Sequence, residues 1–283
     1  DFDESLAFIL LLRKASRKER KASQIHIRKM LDGNHTMGTY VVSDIHGLYD
    51  KFKKACEALD LVNGTDHLYI LGDVIDRGKE GIRILEEIME NPHVTLIMGN
   101  HEHMMVEYLS YAEEHYGYFK DIRACNRIKA VERWNRNGNV PTLHAFYQLS
   151  DERQKQLYLY LRELPLAITN LTVKEQRYYL VHACPLPNRQ EEVLYLSNCE
   201  EVEAVHLVWE RYEETTDFFE DRCVIHGHTP TLYLQKGKPY RIWANRKDLM
   251  QAGIIDIDCG CALGSESGRL ALFCLDDRSV RYI

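Results

Sequence analysis

Three short apolar runs, TYVVS at 39–43, HLYIL at 67–71 and VTLIM at 94–98, alternate with two stretches of helical spacing. The first of those stretches repeats through Phe52, Ala55, Cys56 and Leu59, and the second through Ile82, Leu85, Ile88 and Met89. Alternation of strand and helix predicts an α/β fold with a largely parallel sheet, whose ligands sit at the carboxyl ends of the strands. What each strand ends in therefore decides what such a chain can do. Two later runs, RYYLVHA at 177–183 and RCVIHGHT at 222–229, have the same form of apolar strand followed by polar residues.

The five strand ends carry, in order, Asp44 and His46, Asp73 and Asp76, Asn100 and His101, His182, and His226 and His228. Asp-Gly is ordinary turn chemistry, and a lone histidine is more often scaffolding than a ligand. Five strand ends that all carry oxygen or nitrogen donors are not explained by turns. Carboxylates, imidazoles and an amide, with no cysteine among them, suit Mn, Fe, Zn or Mg rather than a thiolate zinc site. The donors outnumber what one ion takes, and two ions about 3.5–4 Å apart sharing a carboxylate would use them. In GDVIDRG (72–78) Asp73 reads as that shared ligand, Asp76 as the partner of His101, and Arg77 as a clamp for a phosphoryl group.

The rest of the chain narrows the class. Net charge is −7 over 283 residues, which argues against a broad nucleic-acid footprint. Residues 1–36 hold eight Lys/Arg against five Asp/Glu and differ in character from residues 37–283. They read as a leader or appended extension, with a basic amphipathic helix through Leu6, Ile9, Leu10, Arg13, Lys14 and Arg17 as the other reading. Met37 directly precedes the first strand, so 37–283 is expected to be one catalytic domain. Eight cysteines without a CxxC pair suggest reduced thiols and a cytoplasmic protein. No apolar run approaches the roughly 18 residues that span a bilayer, so stable membrane insertion is not expected.

SDIHG (43–47), GDVIDRG, GNHE (99–102), VHA (181–183) and HGHT (226–229) resemble, in order, the motifs of the phosphoprotein phosphatase branch of calcineurin-like metallophosphoesterases. The likeness runs from about 39 to 275, and its spacing looks most like the bacterial and bacteriophage-lambda type serine/threonine phosphatases. WNRNG (134–138), WER (209–211) and IDIDCG (255–260) resemble further counterparts. The resemblance implies a four-layer α/β/β/α sandwich, with KPYRIW, GIIDID, RLALFCL and SVRYI supplying the second sheet. It implies one metal on Asp44, His46 and Asp73 and a second on Asp73, Asn100, His182 and His226, Mn2+ being favoured over Fe or Zn. A hydroxide between the metals would attack phosphorus, with Arg77 and Arg211 gripping the phosphoryl oxygens and His101 protonating the leaving group, oriented by Asp76. His228 is left either orienting a ligand or making an ordinary hydrogen bond. Ser43 stands where a glycine is frequent, ACPLP follows His182 where animal members have glycines, and their SAPNY-type stretch is missing.

Those residues lead to a serine/threonine protein phosphatase acting on a phosphoprotein or phosphopeptide. The alternative is a nucleotide hydrolase like the symmetrical diadenosine tetraphosphatases, which share the fold but typically carry GDLQG and GDLVARG. His46 and Asp76 replace the glutamine and alanine of those motifs, which ranks the alternative second. A scaffolding protein of this fold would have lost metal ligands or the histidine acid, and none is lost here. The Tyr-rich run 107–119 reads as helix packing before substrate wall, and the acidic run 210–221 as a solvated loop.

Overall fold

A computed structural model describes residues 38–61, 64–117, 119, 129–212, 216–235, 241–263 and 268–283. The 1–36 extension, Met37, Cys125 and the start of KPYRIW lie outside the described residues. In chain order the elements are β1 (Gly38–Val42), α1 (Tyr49–Glu57), β2 (Asp66–Leu71), α2 (Gly81–Glu90), β3 (Val94–Ile97) and α3 (Asn100–Tyr116). There follow α4 (Lys129–Arg136), α5 (Val140–Phe146), α6 (Asp151–Arg162), β4 (Pro165–Val173), β5 (Gln176–Val181), β6 (Val193–Tyr195) and α7 (Glu201–Trp209). The chain continues with β7 (Cys223–His226), α8 (Leu232–Gln235), β8 (Trp243–Ala244), β9 (Ile254–Asp256), β10 (Ala271–Cys274) and β11 (Val280–Tyr282).

The strands form two mixed sheets, ordered β11-β10-β1-β2-β3 and β6-β4-β5-β7-β9-β8. β1, β2 and β3 run parallel in the first, and β5, β7 and β9 run parallel in the second. The two sheets are those of the sandwich that the resemblance implies, the parallel strands read from the alternation are shared between them, and donors arrive at one site from both halves. RLALFCL and SVRYI do not join the second sheet. They form β10 and β11 on the free edge of β1, with Tyr40 opposite Cys274 and Val41 opposite Phe273. GIIDID and the end of KPYRIW do enter the second sheet as β9 and β8.

Period-two alternation explains the layers. Val41, Leu71, Ile97 and Phe273 from the first sheet meet Tyr178, Leu180, Ile225 and Ile255 from the second in a core between the sheets. Their neighbours Val42, Ile70 and Leu96 turn outward into a cluster that includes Phe52 of α1 and Leu85 and Ile88 of α2. On the opposite face Tyr179, Val181 and Val224 share that cluster with Leu207 of α7. Strands buried on both faces are apolar over most of their length, which is why the runs were readable. The Tyr-rich run is mostly α3, with Tyr108 only 1% exposed in the core. Cys56, Cys199, Cys223, Cys259, Cys261 and Cys274 carry free thiols.

Candidate metal centre and active site

The loops after β1, β2 and β7 turn sharply just past the sheets. Asp44, His46, Asp73, Asp76, Arg77 and His228 all have left-handed backbone, with φ between 47° and 69°. Only Lys174 and Arg278 share that feature among the described non-glycine residues. Left-handed backbone costs an ordinary residue energy, and its concentration on the predicted donors marks a site the surrounding fold enforces. Gly72 (φ 79°) must be glycine, since a Cβ there would stand 2.4 Å from the Gly99 backbone and 2.8 Å from His182 Nδ1.

Asp73 is the centre. Its Oδ2 lies 3.6 Å from His46 Nε2 and its Oδ1 lies 3.5 Å from His182 Nε2. These contacts are too long for hydrogen bonds, and they leave room for an ion bonded to both partners at about 2.0–2.2 Å. The far nitrogens are already committed, His46 Nδ1–H donating to Ile75 O at 2.9 Å and His182 Nδ1–H to Leu71 O at 2.6 Å. Such carbonyls fix the tautomer that presents Nε2 to a metal. Donor atoms of Asp73 converge with those of His46 and His101 in one group and with those of His182 and His228 in another.

Asn100 Oδ1 sits 3.0 Å from His182 Nε2 and 2.9 Å from His228 Nδ1. His228 Nε2–H donates to Trp209 O at 3.2 Å, so its Nδ1 is bare, like His182 Nε2. Three lone pairs therefore converge, an arrangement that a cation relieves. The residues fit metal binding on this ground and on the hardness of the donors. His228 stands in this cluster and His226 does not. The His226 ring lies against Tyr212, 5.2 Å between centroids, and its Nδ1–H donates to Gly227 O. The motif HGHT offers two histidines two residues apart, and the tight turn at Gly227 sends the second one to Asn100.

Beside the cluster, His101 Nδ1–H donates to Asp76 Oδ2 at 2.6 Å, and Trp134 Nε1–H donates to the same oxygen at 2.6 Å. Thr142 Oγ1 accepts the Asp76 amide. His101 Nε2 is left facing Asp73 Oδ2 at 3.8 Å and Arg77 Nη2 at 3.4 Å. Burial pushes the Asp76 carboxyl up to about 7, while burial, Arg77 and His182 push His101 down. The pair therefore competes for a proton rather than holding fixed opposite charges. Asp44, Asp73, Arg77, Asn100, His101 and Arg211 line one open cavity, so that both arginines share it with three of the sequence-derived metal donors and with His101, while His226 lines another.

Three residues with defined positions had no role assigned from sequence. Glu102, in GNHE, accepts the amides of Asp73, Val74, Ile75 and Gly99. Trp134 opens WNRNG, and Asp258 of IDIDCG lines the cavity, its pKa pushed up by burial and then by Asp44. Both motifs were visible, but only the structure says which atom each residue meets.

Burial, Asp44 and Glu102 likewise push the Asp73 pKa up, and burial with cationic neighbours pushes His46 and His228 down. A proton on Asp73 competes with a cation, and raising the pH removes that competitor. Metal affinity is expected to rise with pH, and a metal at 100 times its Kd adds about 2.7 kcal/mol to stability. Thermal unfolding with and without Mn2+ at about pH 6 and about pH 8 checks this. The Tm rise should be larger at the higher pH, and an equal rise at both contradicts it.

A family model described as calcineurin-like phosphoesterase matches residues 37–232. A symmetrical bis(5'-nucleosyl)-tetraphosphatase of Delftia acidovorans is 25% identical over 231 residues, covering 78% of this chain and 70% of that protein. The protein of the same name from Buchnera aphidicola subsp. Baizongia pistaciae is 23% identical over 86% of this chain and 96% of its own length. Another, from Wigglesworthia glossinidia brevipalpis, is covered over 62% of its length. Among solved structures, one described as a candidate diadenosine tetraphosphatase superposes with a TM-score of 0.53 at 15% identity, covering 88% of this chain and 94% of its own. A protein serine/threonine phosphatase of Saccharomyces cerevisiae gives 0.52 at 12% identity, covering 97% and 92%. The two superpositions are equal in quality and speak to the fold alone.

Proposed function

Because this chain belongs to the calcineurin-like phosphoesterases, we propose that it is a two-metal hydrolase whose substrate is a dinucleoside tetraphosphate. The observation that carries hydrolysis is Asp73 shared between two donor groups, with the His101–Asp76 pair alongside. Asp44, His46 and Asp73 are assigned to one ion, and Asp73, Asn100, His182 and His228 to the other, His228 taking the place expected for His226. Such ions supply Lewis-acid polarisation of phosphoryl oxygens and make water acidic enough to attack at neutral pH. Mn2+ is the first metal to test.

Arg77 and Arg211 draw the phosphate chain into the cavity they both line. In its doubly protonated form His101 would offer a proton at Nε2, and Asp76 accepts from Nδ1–H and holds the ring in the orientation that aims Nε2 at the cluster. The substrate assignment is supported by the curated relatives, which are named as symmetrical tetraphosphatases. They reverse the order in which the sequence alone ranked the two substrates.

The second reading, a serine/threonine protein phosphatase, is favoured by one observation. A complete buried histidine–aspartate pair is what a poor alkoxide leaving group needs. The two readings separate when the protein is given diadenosine tetraphosphate and a phosphoserine peptide, each with Mn2+ and with chelator. Chelator-sensitive cleavage of the nucleotide to two ADP supports the first. Phosphate released from the peptide with the nucleotide left intact overturns it in favour of the second.

Both arginines make testable contributions. Charge-assisted hydrogen bonds contribute about 1.5–3 kcal/mol each, so Arg77→Ala and Arg211→Ala should each lower kcat/KM by about 10–100-fold. Steady-state kinetics of each variant reads this directly. Less than a twofold change would remove that arginine from the phosphate clamp.

A further inference from the structure

His226 and Asp256 are register partners on the parallel strands β7 and β9, and both line a second cavity, with Glu210, Tyr212 and Thr229 in its wall. Neither takes part in the Asp73 cluster. His226 is 5% exposed and Asp256 is fully buried. The His226 Nδ1–H donates to Gly227 O at 3.0 Å, so Nε2 carries the lone pair, and among the described residues nothing pairs with it. Asp256 Oδ1 accepts the Asp258 amide at 2.9 Å, and its Oδ2 is likewise unpartnered.

Two buried acceptors facing one space without a donor are costly to leave bare. Their outer contacts are those of metal ligands. A carbonyl fixes the imidazole tautomer, as Ile75 O and Leu71 O do for His46 and His182, and a backbone amide holds the second carboxylate oxygen. We propose that His226 Nε2 and Asp256 Oδ2 form a third cation site, distinct from the Asp73 centre, for a divalent ion of the zinc or manganese class.

Imidazole with carboxylate suits those ions. The hydroxyl of Thr229 and water supply further oxygens, and Glu210 stands at the exposed rim of the same cavity. An ion there ties β7 to β9 directly behind Gly227, the turn that delivers His228 to Asn100. The site braces the active centre without contacting substrate.

The test counts metal. Metal-free full chain is loaded with Zn2+, dialysed, and assayed for zinc per chain by mass spectrometry, for the wild type, His226→Asn and Asp256→Asn. The second variant is nearly isosteric and guards against a folding defect in the first. Three ions in the wild type and two in each variant, with cleavage of diadenosine tetraphosphate persisting, is the expected result. Two ions in all three proteins overturns the proposal, leaving ordinary water in the cavity. Two ions in the wild type and fewer in His226→Asn, with hydrolysis lost, also overturns it and returns His226 to the catalytic pair. A wild type that holds zinc but hydrolyses nothing strikes the proposed function instead, and the count still decides the third site.

Discussion

Replacing His101 by asparagine is expected to slow phosphate release from a phosphoserine peptide by about 10²–10⁴-fold while slowing cleavage of diadenosine tetraphosphate far less. The difference lies in what departs. A serine alkoxide is nearly as basic as hydroxide, whose parent water has a pKa of about 15.7, so it leaves only with a proton. The phosphate that departs from a phosphoanhydride has a second pKa of about 6 and leaves unaided at neutral pH. The acid proposed for the first task is His101, with Nδ1–H on the buried Asp76 and Nε2 aimed at the Asp73 cluster. Asparagine has no counterpart of Nε2 and so removes the transferable proton, while its amide branches at the same carbon as Nδ1 and keeps a donor for Asp76. Rates on both substrates, with metal content checked in parallel, test the assignment. An equal fall on both would mean that His101 binds phosphate or metal and does not act as an acid. A large fall confined to the peptide would also show that the site retains the equipment of a monoesterase.

The strands and the donors at their ends were legible because both rest on local rules. A strand buried on two faces is apolar over most of its length, as HLYIL and VTLIM are with only the half-buried His67 and Thr95 paired to each other as exceptions, and polar residues directly beyond it must have a separate reason. Sheet membership was not legible. RLALFCL alternates in a way that satisfies either sheet, since Phe273 faces the core between the sheets and Leu272 faces outward whichever edge the strand joins. Only the pairing of Tyr40 with Cys274 fixes it to β1. Which of His226 and His228 lies at the Asp73 cluster was not legible for a similar reason. Both follow one strand, and spacing says nothing about which ring the turn at Gly227 directs to Asn100. Trp134 and Asp76 are far apart in sequence, and a single hydrogen bond at 2.6 Å between them has no sequence signal beyond the motif around the tryptophan.

Glu102→Ala is expected to cost about 3–5 kcal/mol of stability, as much as a large core truncation, although Glu102 is not among the residues that line the cavity. Its carboxylate is completely buried. Oε2 accepts Asp73 N–H at 2.8 Å and Gly99 N–H at 3.0 Å, and Oε1 accepts Val74 N–H at 2.8 Å and Ile75 N–H at 3.3 Å. One side chain thus ties the N-terminus of α3, which carries Asn100 and His101, to the turn that carries Asp73, Asp76 and Arg77. Burial pushes its pKa up, and the amides of Asp73, Val74 and Gly99 oppose that by favouring the ionised form. Alanine leaves four buried amides unpaired and frees the two halves of the site from each other. Glutamine is no remedy, because its NH2 would face two amide donors where an oxygen now stands. Urea unfolding of both metal-free variants measures the effect, with alanine and glutamine both well below wild type. If Glu102→Gln unfolded with the wild-type midpoint, the carboxylate would not be the acceptor that organises the turn, and the left-handed residues Asp73, Asp76 and Arg77 would need another support.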